Sequence, residues 1–561
     1  MSQYSPSAPP PGDRATAGGV EEFGYQQAMK RGTGRFASFA VAFAFVSIAT
    51  GIFTTYGSVL NSSGPAGIWT WPIVIVGQLA VAFIFGSLAA RIPVTGYSYQ
   101  WTSRLANPVL GWIIGWISFT FLAIVVVAVD YTIASTVLPV LLRYEGTALN
   151  AWVITGVVIL AQALLVALST KWTERVNNFA VTAELIGMIA LVLLLLGVGF
   201  VAREVDFANL FSTGAVPSEG YLDFGTLTSA GPWMLGFLLG AFTIVGFESA
   251  ANLAEETKDP ARVVPRAMWQ AVLASGVLGF LFLVAVTLLA GDPVELAKSA
   301  TPIADVITRV LGPFVGTALL VLVVIAIFAC GMVILMTGVR LVWAMSRDER
   351  FPGWQAWRKV SPRFGTPLNA TVFMCVIGEL ILAVFSTRTD ALFGLFAAAT
   401  LLPAIIYTAT VVLYVVKRRT LPPSRGFALG RWEIPVIVVA LAWLVFELLL
   451  FRDSSFTDPW TYVLVMLVLG GLYLGYLLLS RGGAAGLAMP TMRSIDAELD
   501  ADATDATAHG HEHAEAAGHA DAADATARGH GHGYGHAEAA GRTSGRTETA
   551  REPGAHRSRE R

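Results

Sequence analysis

The sequence predicts an all-α membrane protein with twelve transmembrane helices, and three observations carry that expectation. Of its 561 residues, 55% are hydrophobic and only 14% are charged. The apolar residues collect into repeated runs near the ~20-residue length that crosses a hydrocarbon core. Two of these runs, the first and the sixth, are each interrupted by a glycine, at Gly51 in Ser47-Ile48-Ala49-Thr50-Gly51 and at Gly246 in Phe242-Thr243-Ile244-Val245-Gly246. A membrane helix satisfies its own backbone, so a break at bilayer depth is tolerated only where it is buried in protein or lines a cavity. Paired interruptions at matching places in two halves point to the substrate site of a transporter.

The runs fall at 38–60, 68–90, 109–140, 151–170, 178–201 and 231–254, then at 267–290, 313–343, 368–386, 391–416, 434–451 and 459–479. With the N-terminus inside, the inner segments up to Arg481 hold 23 Lys and Arg. The outer loops hold six: Arg143, Arg203, Lys298, Arg309, Arg388 and Arg452. That bias places both termini in the cytoplasm. Three regions follow: a polar N-terminal segment (1–35), the twelve-helix membrane domain (36–480) and a C-terminal tail (481–561). Residues 1–35 lack an apolar core of the kind a cleavable signal peptide needs, and Phe23 to Arg31 reads as an amphipathic stretch. Cys330 and Cys375 both lie in apolar runs, which implies neither a disulfide framework nor a metal pair.

The tail is rich in Ala, Gly, Asp, Glu, Arg and His and poor in large apolar residues, a composition expected to remain disordered. All eight histidines fall in it, among them His509, His511, His513, His530, His532 and His536. Spaced imidazoles of this kind are a weak candidate metal tract, and a solvated low-complexity tail is the plainer reading. No histidine is left for the membrane domain, so proton coupling there would rely on carboxylates, Tyr, Lys or water.

Several loops carry a resemblance. Glu255-Glu256-Thr257-Lys258-Asp259-Pro260-Ala261-Arg262-Val263-Val264-Pro265-Arg266-Ala267 resembles the loop after the sixth helix of amino acid–polyamine–organocation permeases. Thr337-Gly338-Val339-Arg340, then Ala344-Met345-Ser346-Arg347-Asp348 and Pro352, resemble the segment after their eighth helix. Pro93, Gly96, Tyr97, Tyr99 and Trp101 resemble the stretch before their third. Gly24-Tyr25-Gln26-Gln27 with Lys30-Arg31 is similar to an element of the amino acid/choline branch, which includes γ-aminobutyrate and choline permeases. The match spans roughly 22–480. It implies a five-plus-five inverted repeat with broken helices 1 and 6, and two appended helices.

At a break in helix 1, the amides of Ala49, Thr50 and Gly51 would begin the second half-helix. A helix N-terminus carries partial positive charge and unsatisfied donors, which suits a substrate carboxylate. In many relatives this position reads Gly-Ser-Gly, so Ala49 departs from the pattern. Carbonyls at Ser47, Ile48, Phe242, Thr243 and Ile244 would receive an ammonium group, and Phe242 and Phe247 would gate the site or pack there as ordinary aromatics. Carboxylates inside membrane runs default to functional hypotheses. Asp130, Glu184, Glu248, Glu379 and Glu447 stand there. Asp130 would contact a positively charged substrate, or else serve a hydroxyl or a backbone gap. Glu184 and Glu248 are the proton-coupling candidates: Glu248 follows the second break, and Glu184 occupies the place where the resemblance implies a sodium-mimicking lysine. Phe328-Ala329-Cys330-Gly331-Met332 lacks the Ser/Thr pair that the family's sodium site implies.

The expected function is a plasma-membrane secondary transporter, a proton symporter of an amino acid or related small amine. No nucleotide or catalytic motif appears, and neither an enzyme, a cofactor nor a nucleic-acid partner is expected. A choline- or polyamine-type cation carrier is the alternative, and a nutrient or metal sensor using the tail is a third reading.

Overall fold

The computed structural model describes residues 20–489 apart from 30, 145–146, 169 and 386–388. The expected tail beyond 489, with its histidines, and residues 1–19 lie outside the described residues. The described chain is helical, and its one β-type pairing is an isolated parallel bridge between Thr33 and Thr257. The first half runs through α1 (Arg35–Val46), α2 (Ile48–Ser62), α3 (Trp71–Ala89), α4 (Tyr97–Leu105), α5 (Pro108–Thr132), α6 (Leu138–Leu142), α7 (Ala148–Leu168) and α8 (Thr170–Ala202). The second continues with α9 (Pro232–Thr243), α10 (Ser249–Asn252), α11 (Pro260–Leu288), α12 (Pro293–Leu296), α13 (Pro302–Arg347), α14 (Trp354–Trp357), α15 (Leu368–Phe385), α16 (Thr389–Lys417), α17 (Glu433–Leu450) and α18 (Thr457–Ser480).

Among the described residues, ten helical stretches are long and apolar enough to cross a membrane, and two shorter apolar helices, Pro232–Thr243 and Leu368–Val384, accompany them. Each of the twelve expected runs falls on one of these. Local chemistry starts several of them: Pro108, Pro232, Pro260 and Pro302 each open a helix where no amide is missed. Asn107 caps α5 by accepting the Leu110 N–H at 2.9 Å. α13 begins eleven residues before the expected 313, and Gly312 at φ 77° kinks its first turns away from the remainder. Arg309, expected in an outer loop, lies in those turns.

α1, α5 and the second half of α13 are buried on nearly every side. Their sequences are accordingly apolar all round rather than striped. α7, α8, α17 and α18 instead expose rows of large apolar residues, such as Leu160, Leu164, Leu193, Val438 and Leu472, as helices facing lipid do.

Apart from residue 30, which lies outside the described residues, the stretch expected to be amphipathic is largely irregular. A short 3-10 turn at Val20–Phe23 leads into an irregular strand-like segment bound to neighbouring backbone. Gly32 and Thr33 N–H donate to the Glu256 carbonyl at 2.8 and 3.0 Å, and Lys258 N–H donates to the Thr33 carbonyl at 3.0 Å. At the other terminus, the described residues continue to 489, past the expected boundary at 480. Ala484–Leu487 forms a 3-10 turn, Leu487 is buried, and Arg350 donates to its carbonyl.

Candidate functional site

The first break lies at Ser47 and not at Gly51. α1 ends at Val46, Ser47 takes φ 30° and ψ 97°, and α2 restarts at Ile48. A positive φ on a non-glycine residue costs of order 1–3 kcal/mol and persists only where its surroundings over-determine it. Three bonds do so here. The Ser47 Oγ donates to Glu184 Oε1 at 3.2 Å, and accepts from Thr50 Oγ1 at 2.8 Å and from Thr50 N–H at 3.3 Å. Gly51 is helical, with its N–H on the Ser47 carbonyl at 3.1 Å, so neither that amide nor that carbonyl is free. The sequence misplaced the break because a serine held by a distant glutamate gives no local signal.

The second break falls where expected. α9 ends at Thr243, and residues 244–248 are non-helical, with Gly246 at φ 81°. Gly246 N–H donates to the Tyr407 hydroxyl at 2.8 Å, which in turn donates to Glu248 Oε2 at 2.7 Å. Tyr407 sits on α16 and was not foreseen. The apolar run 391–416 holds two tyrosines, Tyr407 and Tyr414, and nothing local marks Tyr407 as the one that meets the break.

The two breaks pack reciprocally. A Cβ on Gly51 would fall onto the Thr243 side chain, and one on Gly246 would fall onto the Phe45 ring. Each glycine therefore admits the last turn of the opposite half-helix. Ser249 Oγ also donates to the Val41 carbonyl at 3.3 Å, tying α10 to α1.

Glu184 of α8 completes the first break. Besides the Ser47 hydroxyl, its Oε1 accepts the Ala49 N–H at 3.4 Å, so a carboxylate of this chain stands at the positive end of α2. A void of about 10 Å³, at the lower limit for one water, lies between Ala49, Glu184, Met188, Leu191, Leu322 and Val323.

A separate cavity of about 70 Å³ opens between α2 and α9, lined in part by Thr54, Thr55, Ser58, Leu238, Phe242 and Thr400. Of the residues expected to bind substrate, Phe242 alone lines it. Ile48, Ala49, Thr50, Thr243, Ile244 and Phe247 are buried beneath. Phe247 packs edge-on against Phe85 and tilted against Tyr407, with centroids 5.9 and 5.3 Å away. Asp130 stands apart on α5, where its Oδ1 accepts from Gln162 Nε2 of α7 at 2.7 Å.

The opposite end of the bundle is closed, and the loops that carried the resemblance meet there. Arg340 binds Glu256 through two bonds of 2.5 and 3.1 Å, and Arg347 reaches both Glu255 oxygens at 3.0 Å. Asp348 accepts from Tyr25, Tyr99 and Gln100 at 2.9, 2.7 and 2.9 Å. The Arg347 guanidinium lies 3.7 Å from the Tyr25 ring centroid. Thr95 N–H donates to Glu255 and Gly96 N–H to Asn252, both at 3.1 Å.

Two adjoining helix breaks, with a cavity on one side and a lock on the other, define a multi-pass membrane transporter. The chain belongs to the amino acid permease family, whose pattern matches residues 34–471. It is similar to the amino-acid permease BAT1 of Arabidopsis thaliana, at 26% identity over 76% of this chain and 86% of that one. Amino-acid permease 2 of Neurospora crassa is 25% identical over 80% of this chain and 82% of its own. The GABA-specific permease of Saccharomyces cerevisiae is 24% identical over 78% of each. These relatives are permeases, transporters rather than enzymes.

Proposed function

We propose that this chain is a proton-coupled symporter of an amino acid or related small amine, working by alternating access in the plasma membrane with both termini in the cytoplasm. The observation that carries the reading is the Glu184 carboxylate on the Ala49 amide at the start of α2. An amino acid's carboxylate suits the same helix end, and two like charges at one site in a low-dielectric interior repel strongly. Substrate therefore displaces the charge of Glu184 and does so at least cost when Glu184 takes up a proton. Binding of the carboxylate and uptake of the proton become one event. Glu248, held by Tyr407 beside the second break, would hand its proton on as the two half-helices separate. The 70 Å³ cavity is the approach from outside, closed at its floor by Phe242, and the arginine–carboxylate network is the cytoplasmic gate in its shut form.

The mirrored five-plus-five repeat implied by the resemblance fits the reciprocal packing at Gly51 and Gly246. A substrate that is only a cation is supported less, because the Asp130 carboxylate is turned to Gln162 and lies off the cavity. The test is uptake into proteoliposomes under an imposed pH gradient, with amino acids, γ-aminobutyrate, choline and polyamines as candidate substrates. Glu184→Gln keeps an acceptor for the Ser47 hydroxyl but cannot titrate, so it should bind substrate and lose the gradient response. A wild type that answers only to sodium, or a Glu184→Gln protein that accumulates normally, would refute the reading.

A further inference from the structure

Asp130 and Gln162 are both fully buried, and their single mutual bond leaves an imbalance. Gln162 Nε2 donates to Asp130 Oδ1 at 2.7 Å and to the Phe328 carbonyl at 3.0 Å. Asp130 Oδ2 and Gln162 Oε1 remain, and neither has a hydrogen-bond partner. Both are acceptors. An acceptor without a donor in an apolar interior costs roughly 1–3 kcal/mol, and a bare carboxylate costs more.

Among the described residues, the surroundings supply no cation. From α13, Cys330 faces this region, and from α15 comes Glu379, itself an acid. α7 contributes Gln162, α2 turns its Thr54 hydroxyl to Thr132 at 3.1 Å, and Tyr407 of α16 is engaged by Glu248. One added proton satisfies both orphan atoms. A hydrogen on Asp130 Oδ2 donates to Gln162 Oε1, while Gln162 Nε2 continues to donate to Oδ1. The result is a neutral acid–amide ring with every polar atom used.

The site is also built sterically. A Cβ on Gly331 of α13 would fall onto Asp130 Oδ1 and Gln162 Nε2, so the glycine makes room for the pair. The next residue back, Cys330, donates its S–H to the Phe45 carbonyl at 3.4 Å, in the last turn of α1 before the Ser47 break. α5, α7 and α13 thus meet at this acid, and through Cys330 α13 also touches the broken helix.

We propose that Asp130 and Gln162 form a proton-binding site, separate from Glu184 and Glu248, which locks α5 to α7 and α13 while the proton is bound. This inference adds to the symport reading without needing it, since the protonation state has its own readout. The same arrangement recurs at Gln78 and Glu447, between α3 and α17, where Gln78 Oε1 and Glu447 Oε2 are likewise unpartnered. That pair lies away from the breaks, so Glu447→Gln serves as a background.

The experiment combines infrared spectroscopy of the purified, lipid-reconstituted protein with the pH profile of uptake. In the Glu447→Gln background, the protonated-carboxyl C=O absorption at neutral pH should contain a component that is lost in Asp130→Asn. The carboxamide reproduces the donor and acceptor of the acid, so Asp130→Asn should assemble, reach the membrane and exchange substrate. Its uptake should lose the alkaline limb of the wild-type profile, because asparagine has no proton to release. An unchanged band, an unchanged alkaline limb or a failure of Asp130→Asn to assemble would each overturn the proposal. So would a spectral response to sodium in place of pH. Absence of gradient-driven uptake in the wild type with the Asp130 band intact would refute symport alone.

Discussion

The hydroxyl of Tyr407 stands between the two ends of the second break, 2.8 Å from Gly246 N and 2.7 Å from Glu248 Oε2. It accepts from one and donates to the other, so a single side chain of α16 fixes the unwound turn. Tyr407→Phe removes both partners at once and leaves a buried amide and a buried carboxylate, each costing roughly 1–3 kcal/mol. Maximal uptake should fall about tenfold or more, since each 1.36 kcal/mol is a factor of ten in rate. Glu248→Gln combined with Tyr407→Phe should lose much less than the sum of the two single losses, because the residues act as one unit. Radiolabelled uptake in the four proteins of the cycle checks this, and additive losses would dissolve the link.

The glycines at the breaks make different demands. Gly51 has an ordinary helical backbone, and only the Thr243 side chain forbids a Cβ there. Gly51→Leu should abolish uptake without preventing insertion. Gly51→Ala should be impaired and then substantially rescued only by Thr243→Gly, because the Thr243 Cβ itself lies 2.5 Å from where the new Cβ would fall. Gly246 carries φ 81° as well as the Phe45 contact. Gly246→Leu should abolish uptake too, but Phe45→Ala should not restore Gly246→Ala, because the backbone strain remains. Equal rescue at both positions would contradict this distinction.

The all-helical, multi-span class and the placing of the second break were legible because hydropathy length and a glycine's tolerance of positive φ are local properties. The loop motifs were legible too, but their role was not. Read as family marks, Tyr25, Tyr99, Glu255, Arg347 and Asp348 turn out to form one network, with the Arg340–Glu256 pair beside it. The site itself was half visible. Glu184 and Glu248 were named, yet Ser47, Tyr407 and Gln162 acquire their meaning from partners at least 30 residues away. One sequence holds no record of such pairs.

The lock offers a test with an unusual sign. Arg340 and Glu256 are nearly inaccessible to solvent, so removing one partner strands a buried charge and should cost about 3–5 kcal/mol. Replacing both, as Arg340→Met with Glu256→Leu, should be milder than either single change. Thermal unfolding in detergent ranks the three variants, and a double variant worse than both singles would reverse the argument.

The same end of the bundle predicts a pH response. Burial first, and the Asp348 charge second, push the Tyr25 phenol up to about 12, against roughly 10 for a free tyrosine. The native protein therefore keeps a proton that the unfolded chain has already lost. The stabilisation is complete below about pH 10 and is lost as pH rises through about 12. Tyr25→Phe should remove this alkaline loss while weakening the lock at neutral pH, because the bond to Asp348 goes with the hydroxyl. Stability measured from pH 8 upward in both proteins decides it.

The final prediction concerns where the chain can be cut. Removing residues 490–561 takes away a segment of Ala, Gly, His and charged residues with little apolar area to bury. Uptake should be largely unchanged. Removing residues 485–561 instead deletes Leu487, whose buried side chain and carbonyl meet the helical body, the carbonyl receiving Arg350. Arg350 is itself buried and donates to Tyr99 and Ser103 at 3.4 Å, while its own carbonyl accepts from Trp112 at 2.8 Å. Losing the Leu487 carbonyl leaves part of a buried guanidinium without its acceptor. The shorter protein should therefore unfold at lower temperature and transport less, with the loss traceable to Arg350. Arg350→Met should make the two truncations more alike, since no charge is then left to satisfy. Equal stability of the two truncated proteins in the wild-type background would show that residues 485–489, Leu487 among them, contribute nothing to holding Arg350.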